Sequence, residues 1–129
     1  MKEPAKILLV DDEVELVNSL KDFLEANGYA VVTALDGSAA LEVAKNARPD
    51  LILLDLMLPK LGGQRVCRLL KSDQDLSHIP IVVLTARSGQ EDLAMVMESG
   101  ADSYLVKPIS PQALLNWISV YLPGQNGSA

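Results

Sequence analysis

Ile7-Leu8-Leu9-Val10-Asp11-Asp12 decides the fold. A continuous aliphatic run of strand length that stops at two carboxylates reads as a strand buried on both faces, because a half-buried strand alternates apolar and polar residues. Working outward, further strands end in the same way. Leu51-Ile52-Leu53-Leu54 stops at Asp55, Ile81-Val82-Val83-Leu84 at Thr85, and Tyr104-Leu105-Val106 at Lys107-Pro108. Tyr29 to Ala34 is β-rich and supplies one more strand.

Helices fill the intervals. Val17, Leu20 and Leu24 recur at helical spacing, and Asn27-Gly28 suits a left-handed cap. Asp36 or Ser38 caps a second helix running to about Asn46, which Arg48-Pro49-Asp50 breaks. A loop with Pro59 and Gly62-Gly63 leads into a third helix through Leu70. A fourth spans about Gln90 to Ser99 and stops at Gly100. Ser110-Pro111 opens the last, which ends near Leu122-Pro123. Five alternating strand–helix units predict an α/β fold: a five-stranded parallel sheet, order 2-1-3-4-5, doubly wound with helices on both faces. Residues 1–123 form this domain, and 124–129 read as a flexible tail or the start of a linker. Met1 to Ala5 reads as loose.

Composition agrees with one compact unit. The 129 residues are 49% hydrophobic but only 4% aromatic, so the core is aliphatic. A net charge of -6 and no Lys/Arg cluster argue against direct nucleic-acid binding. The apolar runs are strand-sized, so no membrane span or signal peptide is expected and the chain reads as cytoplasmic. The one cysteine, Cys67, lies in an apolar-periodic stretch and reads as a packed helix residue.

The chemistry lies at the strand ends. In open α/β sheets ligands bind beyond the carboxyl ends of the strands, where strand order reverses. With order 2-1-3-4-5, Asp11, Asp12 and Asp55 converge there. Three close carboxylates repel one another unless their pKa values rise or a cation joins them. Hard oxygen ligands suit Mg2+, which leaves room for phosphate oxygens. Asp55 can then act as a nucleophile, giving an aspartyl phosphate. The Lys107 ammonium can neutralise charge on the transferring group, and the Thr85 hydroxyl can bond one of its oxygens. Singly, each residue has a plain structural explanation as a turn, cap, β-former or solvated charge. Together, four strand ends carry a coherent set.

The stretches Ile7–Glu13, Asp50–Pro59, Leu84–Arg87 and Gly100–Pro108 closely resemble the receiver domain of two-component response regulators of the chemotaxis-regulator type. The resemblance runs from Lys6 to about Leu122 and carries a flavodoxin-like fold. It implies that Asp55 is the phosphoacceptor and that Asp12, Asp55 and the Met57 backbone carbonyl hold Mg2+ directly, with Asp11 acting through water. Thr85 and Lys107 would contact the phosphoryl group, and Tyr104 would be the switch aromatic that follows Thr85. Met57 and Arg87 would modulate the lifetime of the phosphoryl group. The Lys107-Pro108 bond is usually cis in this family. The expected donor is a sensor histidine kinase or a histidine phosphotransfer protein. The domain would be a signalling switch rather than an enzyme, promoting its own phosphorylation and dephosphorylation.

The face of fourth helix, fifth strand and fifth helix would carry the signal to an output protein or domain, or to a phosphorylation-dependent homodimer. Regulators of the winged-helix type often place cross-dimer ion pairs there. Here Leu93, Ala113 and Trp117 are apolar, and Met95, Val96 and Met97 add to them. Either a partner surface that works by apolar contact or a Trp117 packed on the tail accounts for this. His78, in a polar loop, reads as solvated rather than as a phosphodonor. A pseudo-receiver would lack Asp55, Asp12 or Lys107. An aspartyl phosphatase would carry a second Asp where Met57 stands, and a flavin or dinucleotide binder would need a Gly-rich loop after the first strand.

Overall fold

The computed structural model of the chain describes residues 3–86 and 90–123. Five strands alternate with five helices: β1 (Lys6–Val10), α1 (Val14–Ala26), β2 (Ala30–Ala34), α2 (Gly37–Ala47), β3 (Leu51–Asp55), α3 (Gly63–Ser72), β4 (Ile81–Thr85), α4 (Gln90–Glu98), β5 (Ser103–Val106) and α5 (Pro111–Tyr121). All pairings are parallel and the order is β2-β1-β3-β4-β5, as expected.

The period of two along each strand splits the core into two layers. Leu8, Val10, Ile52, Leu54, Ile81 and Val83 face one side, against Ala40 and Ala44 of α2, Val66, Cys67 and Leu70 of α3, and Val96 of α4. Ile7, Leu9, Leu51, Leu53, Val82 and Leu84 face the other, against Val17, Leu20 and Leu24 of α1 and Leu114 and Ile118 of α5. Each fully buried Leu or Ile contributes about 1.5–3 kcal/mol relative to exposure. Cys67 is one of these packed residues, as its spacing predicted.

Local chemistry sets the boundaries. Gly28 takes a φ of 95° after α1, a left-handed conformation suited to glycine. Asp36, rather than Ser38, caps α2: its Oδ1 accepts from the Ala39 N–H at 2.8 Å. Ser110 caps α5 through the Ala113 N–H, with Pro111 at the first turn. Ala5 corrects one expectation. It is buried, and its carbonyl accepts from the Ala30 N–H at 2.9 Å, so the chain is already ordered against β2 before β1 begins. The expected tail, 124–129, lies outside the described residues.

Candidate functional site

Topology brings the site together. From β1 the chain crosses to β2 on one side, then returns past β1 to β3 on the other, opening a crevice between the carboxyl ends of β1 and β3. The register pairs Val10 with Leu54, so the residues that follow, Asp11 and Asp55, stand at the same level. Carboxylate oxygens of Asp11, Asp12 and Asp55 all lie within 4.8 Å of one another. Asp11 is fully buried, Asp55 is 3% exposed, and Asp12 faces solvent.

The backbone holds these acids in place. The Asp11 N–H donates to the Ala34 carbonyl, and Asp11 Oδ1 accepts from the Glu13 N–H at 3.0 Å. The Asp55 carboxylate accepts from the Met57 N–H at 3.2 Å. Under Asp55 the chain packs backbone to backbone. A Cβ on Gly63 would stand 2.2 Å from the Asp55 carbonyl oxygen, so only glycine allows α3 to start there. Thr85 is buried at the end of β4, and its carbonyl accepts from the Lys107 N–H at 2.8 Å. The Lys107-Pro108 bond is cis.

Lys107 Nζ reaches back into the acids. It lies 2.8 Å from Asp11 Oδ2, 3.0 Å from Glu13 Oε1 and 3.6 Å from Asp55 Oδ1. Burial works against its charge, but its contacts to Asp11 and Glu13 and the charge of Asp55 outweigh burial and raise its pKa above the ordinary lysine value. Burial pushes the Asp55 carboxyl above the usual carboxylate range; the charge of Asp11 adds to this, and Lys107 and the Met57 N–H pull back. The contact of Asp11 Oδ2 with Lys107 is an ion pair rather than a directed hydrogen bond, and that buried oxygen has no hydrogen-bond donor. An all-oxygen donor set, surplus negative charge and an orphaned buried oxygen together fit Mg2+.

Of the sequence-predicted residues, Asp11, Asp12, Asp55, Thr85 and Lys107 gather at this one edge. Met57 sits beside them with its side chain half exposed. Arg87 lies outside the described residues. Tyr104 is half-buried on β5 and lines a groove of about 470 Å³ with Met97, Leu105, Val106 and Trp117. Trp117 stacks on Tyr121 with ring centroids 6.1 Å apart, and the Tyr121 hydroxyl bonds Ser103 Oγ. On the neighbouring helix Val96 is core, while Met95 and Met97 are exposed. Sequence reasoning missed Glu13 as a partner of Lys107; the run of three acids, Asp11-Asp12-Glu13, was the available signal.

Residues 7–119 match the response regulator receiver domain family. The chain is 49% identical over 107 residues to the alkaline phosphatase synthesis transcriptional regulatory protein PhoP of Bacillus subtilis, covering 83% of this chain and 44% of that protein. It therefore spans about half the length of the curated relatives it matches. Among solved structures, chemotaxis response regulator CheY4 of Vibrio cholerae superposes with a TM-score of 0.87 at 33% identity, covering 92% of this chain and 99% of that one. The receiver domain of the sensor histidine kinase PA1611 of Pseudomonas aeruginosa, with a magnesium ion coordinated in its active-site cleft, gives 0.85 at 30% identity, covering 92% and 97%. Among the described residues no helix is long and apolar enough to cross a membrane.

Proposed function

The chain belongs to the response regulator receiver domain family, and from that premise we propose that Asp55 is its phosphoacceptor and that residues 1–123 work as the switch unit. One observation carries this: a buried carboxylate at the crevice between β1 and β3, flanked by two further acids and faced by the partly buried ammonium of Lys107.

Asp55 oxygen attacks phosphorus in line, forming a P–O bond as the P–N bond to the donor imidazole breaks. The phosphohistidine of a sensor kinase or of a phosphotransfer protein is the donor, and acetyl phosphate can replace it. Asp12, Asp55 and the Met57 carbonyl would hold Mg2+, with Asp11 acting through water. When bound, the cation neutralises charge on the phosphoryl oxygens. Lys107 stabilises the same charge from the β5 side, and the Thr85 hydroxyl bonds a phosphoryl oxygen. Met57, beside the site, and Arg87, two residues after Thr85 in sequence, would set how readily water reaches the acyl phosphate. Thr85 moving toward the phosphoryl group draws Tyr104 inward, which remodels the α4–β5–α5 face. That face, apolar where Met97, Val106 and Trp117 stand, serves an output protein, an output domain after Pro123 or a second phosphorylated copy. The setting is cytoplasmic, with 124–129 as a tail or the start of a linker.

Intact mass after incubation with Mg2+ and acetyl phosphate tests the chemistry. A Mg2+-dependent gain of one phosphoryl group, absent in Asp55→Asn, is expected. No gain with either acetyl phosphate or a phosphorylated kinase would overturn it.

A further inference from the structure

Glu13 has no part in the phosphoryl chemistry above. It stands at the N-cap position of α1, yet its side chain makes no capping hydrogen bond. Its Oε1 lies 3.0 Å from Lys107 Nζ instead. With Asp11 at 2.8 Å and Asp55 at 3.6 Å, the ammonium sits closer to Asp11 and Glu13 than to the phosphoacceptor.

An ammonium has three donor protons. Glu13 holds one of them in a directed hydrogen bond, and turning the ammonium toward phosphoryl oxygens on Asp55, 3.6 Å away, takes that bond out of line; it is also the easiest contact to release. The Glu13 side chain is 62% exposed, so water replaces it readily, whereas Asp11 is fully buried and cannot give up its partner without a desolvation cost. The contact borders an open cleft of about 490 Å³ lined by Glu13, Leu16, Ala86, Lys107, Pro108 and Ile109, so dissolved salt reaches it.

We propose that Glu13 is a positioning residue that holds Lys107 in the resting state and competes with the phosphoryl group for its ammonium. The inference rests on the phosphoacceptor role of Asp55. Loosening the hold shifts the domain toward its phosphoryl-bound form.

Two measurements test this on the full chain. In the first, beryllofluoride with Mg2+ stands in for the phosphoryl group, and amide chemical shifts follow its binding to wild type, Glu13→Gln and Asp55→Asn. Glu13→Gln should half-saturate at about two- to five-fold lower beryllofluoride, the range set by an exposed ion pair. The difference should fade between about 0.1 M and about 1 M salt, as the Debye length drops from about 10 Å to about 3 Å. In the second, without Mg2+, the Lys107 ¹⁵Nζ resonance should show faster ammonium proton exchange in Glu13→Gln than in wild type. Unchanged exchange, or an unchanged half-saturation point, overturns the role of Glu13 while leaving Asp55 intact. Equal failure of wild type and Asp55→Asn to saturate removes the phosphoacceptor reading, and the role of Glu13 with it.

Discussion

At the amino edge of the sheet one lysine meets one aspartate; at the carboxyl edge one lysine meets three carboxylates. Lys71 Nζ, at the end of α3, lies 2.9 Å from Asp102 Oδ2 and also donates to the carbonyls of Ile79 and Ser77. The same Asp102 oxygen accepts from the Ile81 N–H at 2.8 Å. The Lys71 ammonium, the Asp102 carboxylate and the Ile81 N–H each have a counterpart, and the cluster ties α3 to the starts of β4 and β5. Lys107 faces Asp11, Glu13 and Asp55 at once, with Asp12 close by. The residue types are the same and the balance differs. Matched charge gives a fixed joint, whereas unmatched charge leaves repulsion that a cation and a phosphoryl group can relieve.

Breaking the carboxyl-edge cluster should act on rate. Lys107→Ala removes the protein's own neutralising charge and should slow phosphorylation by acetyl phosphate by about 10²–10³, followed by intact mass over time. An unchanged rate would mean that Lys107 belongs with Lys71 as a structural residue. Breaking the amino-edge cluster should act on stability. Asp102→Ala leaves the Ile81 N–H and Lys71 without their partner and should cost about 1–3 kcal/mol in urea unfolding, the lower half being favoured by the partial exposure of both side chains. Its phosphorylation rate should match wild type.

The contrast sharpens when repulsion itself is removed. In Mg2+-free buffer at neutral pH, Asp55→Asn should be more stable than wild type in urea unfolding, because the folded state disfavours the Asp55 charge. The sign follows from the raised Asp55 pKa. The folded state holds this proton more tightly than the unfolded chain, so the contribution to stability is present below the unfolded value and lost as pH rises through the raised one. The advantage of the variant should therefore disappear in acid, and Mg2+ should narrow it at neutral pH. The smallest effect belongs to an exposed pair at the same edge. Lys60 lies 3.5 Å from Asp36 with its own side chain 70% exposed, and Lys60→Ala should leave the urea unfolding midpoint close to that of wild type.

The strands β1, β3 and β4 were legible because a buried parallel strand is a continuous aliphatic run, and each of these runs ended where a polar residue had to meet the crevice. The helix starts were legible less evenly: both Asp36 and Ser38 could cap α2, and only the folded backbone chose Asp36. A single alanine carries no pattern, so the order at Ala5 shows only in its backbone bond to Ala30 across the sheet. Glu13 escaped notice because its partner lies 94 residues away in sequence. The Lys71–Asp102 joint escaped for the same reason, since a lysine near a helix end reads as solvated until the loop carbonyls close around it.

By itself the sequence determined the α/β alternation, the two-sided core and the identity of the acids, hydroxyl and lysine at the strand ends, because periodicity and residue type are local properties of the chain. Tertiary structure alone decided which charges balance. That is set by the crossover that places β1 beside β3 and by the register that brings Asp11 level with Asp55, and electrostatic energy depends on separation in space rather than along the chain.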